Sequence, residues 1–225
     1  MSIHSESIDE IKKFVKGFSA DSLFDYKKTS EKFSSAYKQL HALLIWNLLL
    51  PKGEFPNERY DFHFEECVSD ISQAFSLLTF SLFKPSRVMA RSSIENAVRV
   101  IVADAGGDHK VKSVHSLFDI AKENLDDDII TKSLISNLKS IYGELCLTVH
   151  SAHKDHIALR IPFEEVFSYD SSQYEMTIDL LRRTSSAINQ ALYGRFSSKL
   201  SRIGHKNRDF LLDSLPKRLK RNVQA

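Results

Sequence analysis

An all-α fold, a bundle of six to eight helices with a long C-terminal helix, is predicted by three features of this sequence. Only 7 Gly and 5 Pro punctuate its 225 residues, which favours long helices joined by few turns. Apolar residues recur at intervals of three and four through most of the chain, the spacing that lays a stripe along one face of a helix. No stretch alternates apolar and polar residues for long enough to propose a strand, and no internal repeat appears. With 42% hydrophobic and 27% charged residues, the chain has material for one sizeable core. Residues 1–204 are therefore expected to form a single helical-bundle domain and residues 205–225 a basic C-terminal tail.

Ser5 to Phe18 reads as a short amphipathic helix on Ile8, Ile11, Val15 and Phe18, with a connector over Asp21 to Lys28. From about Ser30 a second helix carries Phe33, Tyr37, Leu40, Leu44 and Leu48 at helical intervals until Pro51 breaks the run. Asn57 is the expected N-cap of a third, striped by Phe64, Cys67, Ile71, Phe75, Leu78 and Leu82. Lys84-Pro85-Ser86 is expected to end it and to open the next, which Gly106-Gly107 then stops. Val111 to Asn124 should be a shorter helix. Asp126-Asp127-Asp128 places negative charge where the following helix begins, which its dipole favours. That helix is striped by Ile130, Leu134, Leu138, Ile141, Leu145 and Thr148. The last runs from Ser172 to about Ile203 on Tyr174, Ile178, Leu181, Ser185, Ile188, Leu192, Phe196, Leu200 and Ile203, and Gly204 ends it. Such a long stripe is also suited to pairing with a second copy, so a homodimer is expected.

Several chemistries are excluded by spelling. The sequence has no Gly-rich phosphate loop ending in Lys-Ser or Lys-Thr, no His-Glu-x-x-His and no Gly-x-Ser-x-Gly. A di-iron bundle needs Glu-x-x-His on two helices, and none occurs. His150, His153 and His156 span too much of a regular helix to surround one ion, so no metal is expected there. No cofactor is expected either. Cys67 and Cys146 lack paired spacing and read as small buried apolar residues. No run of eighteen apolar residues is present and the first residues carry no signal pattern, so a cytoplasmic protein without membrane association is expected.

The candidate site lies on two helices. Projected at ~100° per residue, Arg91 borders the stripe of Ala90, Ile94, Val98 and Ile101, whereas Arg99 falls well outside it. An arginine at the edge of a core needs a partner, because an unpaired buried charge costs several kcal/mol. Glu95, one turn on, is the local candidate and Glu144 on the other helix the distant one. Arg91 then either joins two helices through such a pair or faces a pocket and binds phosphate. His150 points ~150° away from its core stripe, beside Tyr142, Cys146 and His153. It either rests idle near a helix C-terminus or serves as a general acid or base near neutral pH.

Charge is unevenly distributed. From Arg195 onward nine Lys or Arg face only Asp209 and Asp213, a net +7 that leaves −5 on the rest of a chain whose total is +2. A basic arm on an acidic body suits a polyanion or an acidic partner, with Lys206, Arg208, Lys217, Arg218, Lys220 and Arg221 as the nucleic-acid-binding candidates.

Arg91-Ser92-Ser93-Ile94-Glu95 together with Tyr142-Gly143-Glu144-Leu145-Cys146-Leu147-Thr148-Val149-His150 resembles the HEPN superfamily, in its uncharacterised bacterial branch related to abortive-infection proteins. The resemblance covers roughly residues 86–156. It implies a homodimeric, metal-independent RNase of a bacterial anti-phage defence system, an effector or toxin whose composite site joins arginine and histidine from both subunits. Catalytic roles would then fall to Arg91, Glu95, Glu144 and His150. That family's motif has an arginine four to six residues before the histidine; Glu144 occupies this interval here, and Arg91 would supply the cation from the neighbouring helix. An inactive or nucleotide-binding relative also fits the resemblance. The alternative from a different class is a non-catalytic helical adaptor, with Arg91 and Glu95 as a structural pair and the basic arm docked on a partner protein.

Overall fold

The computed structural model describes residues 26–50, 57–125, 129–149, 169–202, 204–216 and 219. Its elements are α1 (Tyr26–Leu49), α2 (Asp61–Thr79), α3 (Phe83–Asp104), α4 (Val114–Glu123), α5 (Ile129–Val149), α6 (Ser171–Phe196), a 3-10 helix (Ser197–Arg202) and α7 (His205–Ser214). Among the described residues there is no strand, as the helical periodicity requires. No helix among them is long and apolar enough to cross a membrane. The expected helix over residues 5–18 and the aspartates at 126–128 lie outside the described residues.

The α6 helix is the hub. It packs against α1, α2, α3 and α5, while α2 and α3 form a hairpin of helices. Its stripe from Tyr174 through Ile178, Leu181, Ser185, Ile188 and Leu192 to Phe196 is buried throughout. The long apolar seam is therefore spent inside one chain, and any dimer would use another face. Asn189, fully within this seam, is accommodated because its Nδ2 donates to the Gln39 carbonyl of α1 at 2.8 Å. A buried amide without such an acceptor would cost about 1–3 kcal/mol.

The stripes of α2 and α5 are buried as their spacing predicts: Phe64, Cys67, Ile71, Phe75 and Leu78 on one, Leu134, Leu138, Ile141, Leu145 and Thr148 on the other. In α1 the phase differs. Phe33, Ala36, Leu40, Leu43 and Trp46 face the core, and Leu48 is 59% exposed. After His41 this helix is apolar almost all round, so its composition fixes no preferred face and packing against α6 chooses one.

Two helix boundaries also differ from expectation. The N-cap of α2 is Tyr60, not Asn57. Asn57 instead closes the preceding turn: its carbonyl accepts from the N–H groups of Tyr60 and Asp61, and the Asp61 carboxylate accepts from the Asn57 N–H at 2.8 Å. The α2–α3 break falls at residues 80–82, ahead of Lys84-Pro85. Leu82 N–H donates to the Leu77 carbonyl and Ser81 N–H to that of Leu78, with Ser81 at φ 58°. This is the left-handed helix stop that glycine normally occupies; a serine there leaves no signal in the sequence.

At the other end of α3 the two glycines stop the helix as expected, for separate reasons. Gly106 takes the left-handed conformation, φ 85°, and Gly107 N–H returns to the Val102 carbonyl. A Cβ on Gly107 would stand 2.9 Å from Val102 Cγ1 and 3.1 Å from Ile120 Cγ2. This close approach brings α4 against the end of α3.

The long helix ends at Phe196, short of the expected Ile203, and passes into the 3-10 helix, so Gly204 is not its stop but the N-cap of α7. The basic arm expected from residue 205 begins as this helix, docked on α1. Leu211, Leu215 and Leu219 are buried, Gln39 Nε2 donates to the Ser214 carbonyl at 3.0 Å, and the Phe210 ring stands 4.4 Å from that of His41.

Candidate functional site

Arg91, Glu95 and Arg99 succeed one another at intervals of four and so form a slowly drifting polar seam beside the buried face of α3. Glu95 Oε1 accepts from Arg99 Nη2 at 2.7 Å. Arg99 also donates to the carbonyl of Val111 at 3.1 Å and to that of His109, so the pair fastens the α3–α4 loop. Its side chain is only 12% exposed. Helix projection places Arg99 outside the core; the loop that folds over it supplies the burial.

Arg91 is half-buried and turns toward α5. Its guanidinium carbon lies 5.8 Å from the centre of the Tyr142 ring, and Nη1 lies 4.0 Å from Cys146 Sγ. Burial raises the Tyr142 phenol above its usual pKa, Cys146 adds to the rise, and the Arg91 charge opposes it. Cys67 is buried as expected, with its thiol pushed upward by desolvation, whereas Cys146 is only half-buried.

Neither carboxylate proposed as the partner of Arg91 pairs with it. Glu95 is held by Arg99. Glu144 receives both terminal nitrogens of Arg183, at 3.0 and 2.8 Å, because two residues beyond Tyr142 a side chain points ~200° further round α5, toward α6. Of the four expected catalytic residues, Arg91 and Glu95 thus share one seam and Glu144 faces elsewhere. His150 lies outside the described residues, as do His153 and His156.

The basic set is divided too. Arg195 Nε meets Asp104 Oδ2 at 2.5 Å and its Nη2 donates to the Asp104 carbonyl at 3.1 Å. Lys199 Nζ stands 3.8 Å from Asp104 Oδ1, donates to Tyr60 Oη at 3.3 Å and sits over the Phe196 ring at 4.8 Å. Burial, reinforced by Asp104 and Asp61, pushes the Tyr60 phenol up to about 12. These two cations staple the end of α6 to the end of α3 and the start of α2. Lys206 is exposed on α7, and Arg208 leans on His205, with Nη2 2.8 Å from Nδ1. Lys217, Arg218, Lys220 and Arg221 lie outside the described residues.

Arg87 was not anticipated. It is 1% exposed, yet its acceptors are neutral: Thr177 Oγ1 at 2.9 Å from Nε, with Gln173 Oε1 at 2.6 Å and the Gln173 carbonyl at 3.4 Å from Nη2. Burial lowers its pKa to about 10, and the charge of Asp170, the N-cap of α6, pushes back. The signal was present in the spacing, since 87, 90, 94, 98 and 101 fall on one helix face with Arg87 in line. His63 and His109 were not anticipated either; their rings meet at 5.4 Å between α2 and the α3–α4 loop.

On the α3 seam the Arg91 guanidinium stands beside an aromatic face and a thiol. Among the described residues no three His, Cys, Asp or Glu side chains gather to hold a metal ion. Comparison with protein-family models, curated proteins and solved structures gives no match.

Proposed function

We propose that this chain is an HEPN-like, RNA-directed effector of a bacterial anti-phage defence system, acting in the cytoplasm as a metal-independent RNase. The reading is supported chiefly by the setting of Arg91. It lies against Tyr142 and Cys146, on the last turns of the helix that runs into His150. An arginine held beside an aromatic ring can direct its N–H groups at an oxyanion. In this reading Arg91 binds the scissile phosphate or its developing charge, and His150 transfers the proton. Lys206 and Arg208, with the basic residues that follow, hold RNA. A homodimer would bring two such sites together through a face other than the α6 seam.

The test is RNA degradation by purified protein in the presence of a chelator, beside Arg91→Ala and His150→Ala. Wild-type protein should cleave, and each variant should lose at least about 10²-fold, the usual worth of a positioned acid or base. Absence of cleavage by wild-type protein would overturn the RNase assignment.

A second reading is favoured by the Glu95–Arg99 and Glu144–Arg183 pairs, which clamp neighbouring parts of the fold as structural pairs do. The chain would then be a non-catalytic adaptor whose basic C-terminal face docks on an acidic partner protein. Thermal melts separate the two: an adaptor predicts that Arg91→Ala is felt in stability and not in any RNA readout.

A further inference from the structure

Away from the Arg91 seam, the first turn of α2 and the α3–α4 loop bring two histidines into contact. The His63 and His109 rings are 5.4 Å apart, centre to centre, with planes at 77°. Each has an Nδ1 buried from solvent and without a hydrogen-bond partner. A buried nitrogen left unsatisfied in a folded protein calls for an occupant, a water or an ion, and here two such nitrogens belong to adjoining rings.

The spacing, within the ordinary range for an edge-to-face ring pair, also admits a shared metal ion. Two imidazoles bound to one tetrahedral ion, with metal–nitrogen bonds of about 2.0–2.1 Å, place their ring centres about 5 Å apart. Ligating histidines are also held from behind by an acceptor on the other ring nitrogen. Groups suited to that role are near: the Asn96 side chain, anchored through Nδ2 to the buried Asp70 at 3.1 Å, beside His63, and the Gly107 backbone beside His109.

The surrounding charge is mixed. Arg99, which faces His63, is neutralised by Glu95 at 2.7 Å; Arg59 and Lys110, which face His109, are offset in part by Asp108. We propose that His63 and His109 form a two-histidine site for a borderline divalent transition-metal ion such as Zn²⁺, its remaining positions filled by water. The ion would tie the α3–α4 loop to α2. This site is separate from the proposed RNase chemistry and does not depend on it.

The experiment is titration of chelator-treated full-length protein with Zn²⁺, followed by calorimetry and thermal melting, and with Co²⁺, followed by visible absorption. Wild-type protein should show a site whose filling raises Tm and gives Co²⁺ a nitrogen-ligated spectrum. His63→Gln and His109→Gln, each checked for native helicity by circular dichroism, should weaken it at least tenfold. His153→Ala should leave it unchanged, which distinguishes it from binding at the histidines near residue 150. His109 lies in a loop, so its variant keeps the test decisive if His63→Gln fails to fold. Lack of a site at 1 mM Zn²⁺, or binding that both glutamine variants retain, would overturn the proposal and leave water as the occupant.

Discussion

Arg183 and Glu144 form a two-pronged ion pair, Nη1 to Oε1 at 3.0 Å and Nη2 to Oε2 at 2.8 Å, that joins α6 to α5. The geometry is the favourable parallel one. Both side chains are more than a third exposed, at 37% and 45%, so solvent screens the attraction. A double-mutant cycle on Arg183→Ala and Glu144→Ala should give a coupling of about 0.5–1 kcal/mol. Glu144→Ala should retain the proposed RNA-directed activity that Arg91→Ala is expected to lose; equal loss in both would return Glu144 to the catalytic set.

Arg87 and Arg91 are one turn apart on α3 and should behave oppositely. Truncating Arg87 empties a buried volume and strands Gln173 Oε1, so Arg87→Ala is expected to cost about 3–5 kcal/mol, read from urea denaturation. Arg87→Met, which keeps most of the volume, should cost less. Arg91→Ala removes a half-buried side chain and is expected to fold with a loss below about 1 kcal/mol. A large stability loss at Arg91 would remove it from the site.

Two glycines give opposite outcomes on substitution by alanine. At Gly107 the new methyl would meet Val102 at 2.9 Å and Ile120 at 3.1 Å, so Gly107→Ala should destabilise by about 1–3 kcal/mol. Gly143 is an exposed position inside α5 with nothing within 4 Å of an added Cβ. Gly143→Ala should therefore stabilise by about 0.5–1 kcal/mol through helix propensity. Thermal melts of both variants check this.

The proposed RNA binding by the C-terminal face cannot be tested by removing it. Deletion from Asn207 also discards Leu211, Leu215 and Leu219 from the core and should lower Tm sharply, since each leucine contributes about 1.5–3 kcal/mol when fully buried. Reversing charge at Lys206→Glu with Arg208→Glu keeps the leucines. The double variant should melt close to wild type and bind RNA more weakly, with the salt slope reduced by about 1 for each phosphate no longer neutralised. An unchanged salt slope would exclude both residues from the interface.

The sequence alone determined the helices from α1 to α6 and the buried faces of α2, α5 and α6, but not α7. Apolar spacing in α2, α5 and α6 identified the core residues from Phe64 to Leu78, from Leu134 to Thr148 and from Tyr174 to Phe196, because residues that share a helix face must be buried or exposed together. The same spacing contained Arg87, whose place in line with Ala90 and Ile94 marks it as a core position. Spacing along one helix has no information where every side is apolar, and so the exposed Leu48 was indistinguishable from the buried Leu43. Only the tertiary structure decided which glutamate meets which arginine. Periodicity gives the angle at which Arg91, Glu95 and Glu144 leave their helices; pairing depends on which helix stands opposite and which loop folds over, and those distances arise when α6 packs among α1, α3 and α5.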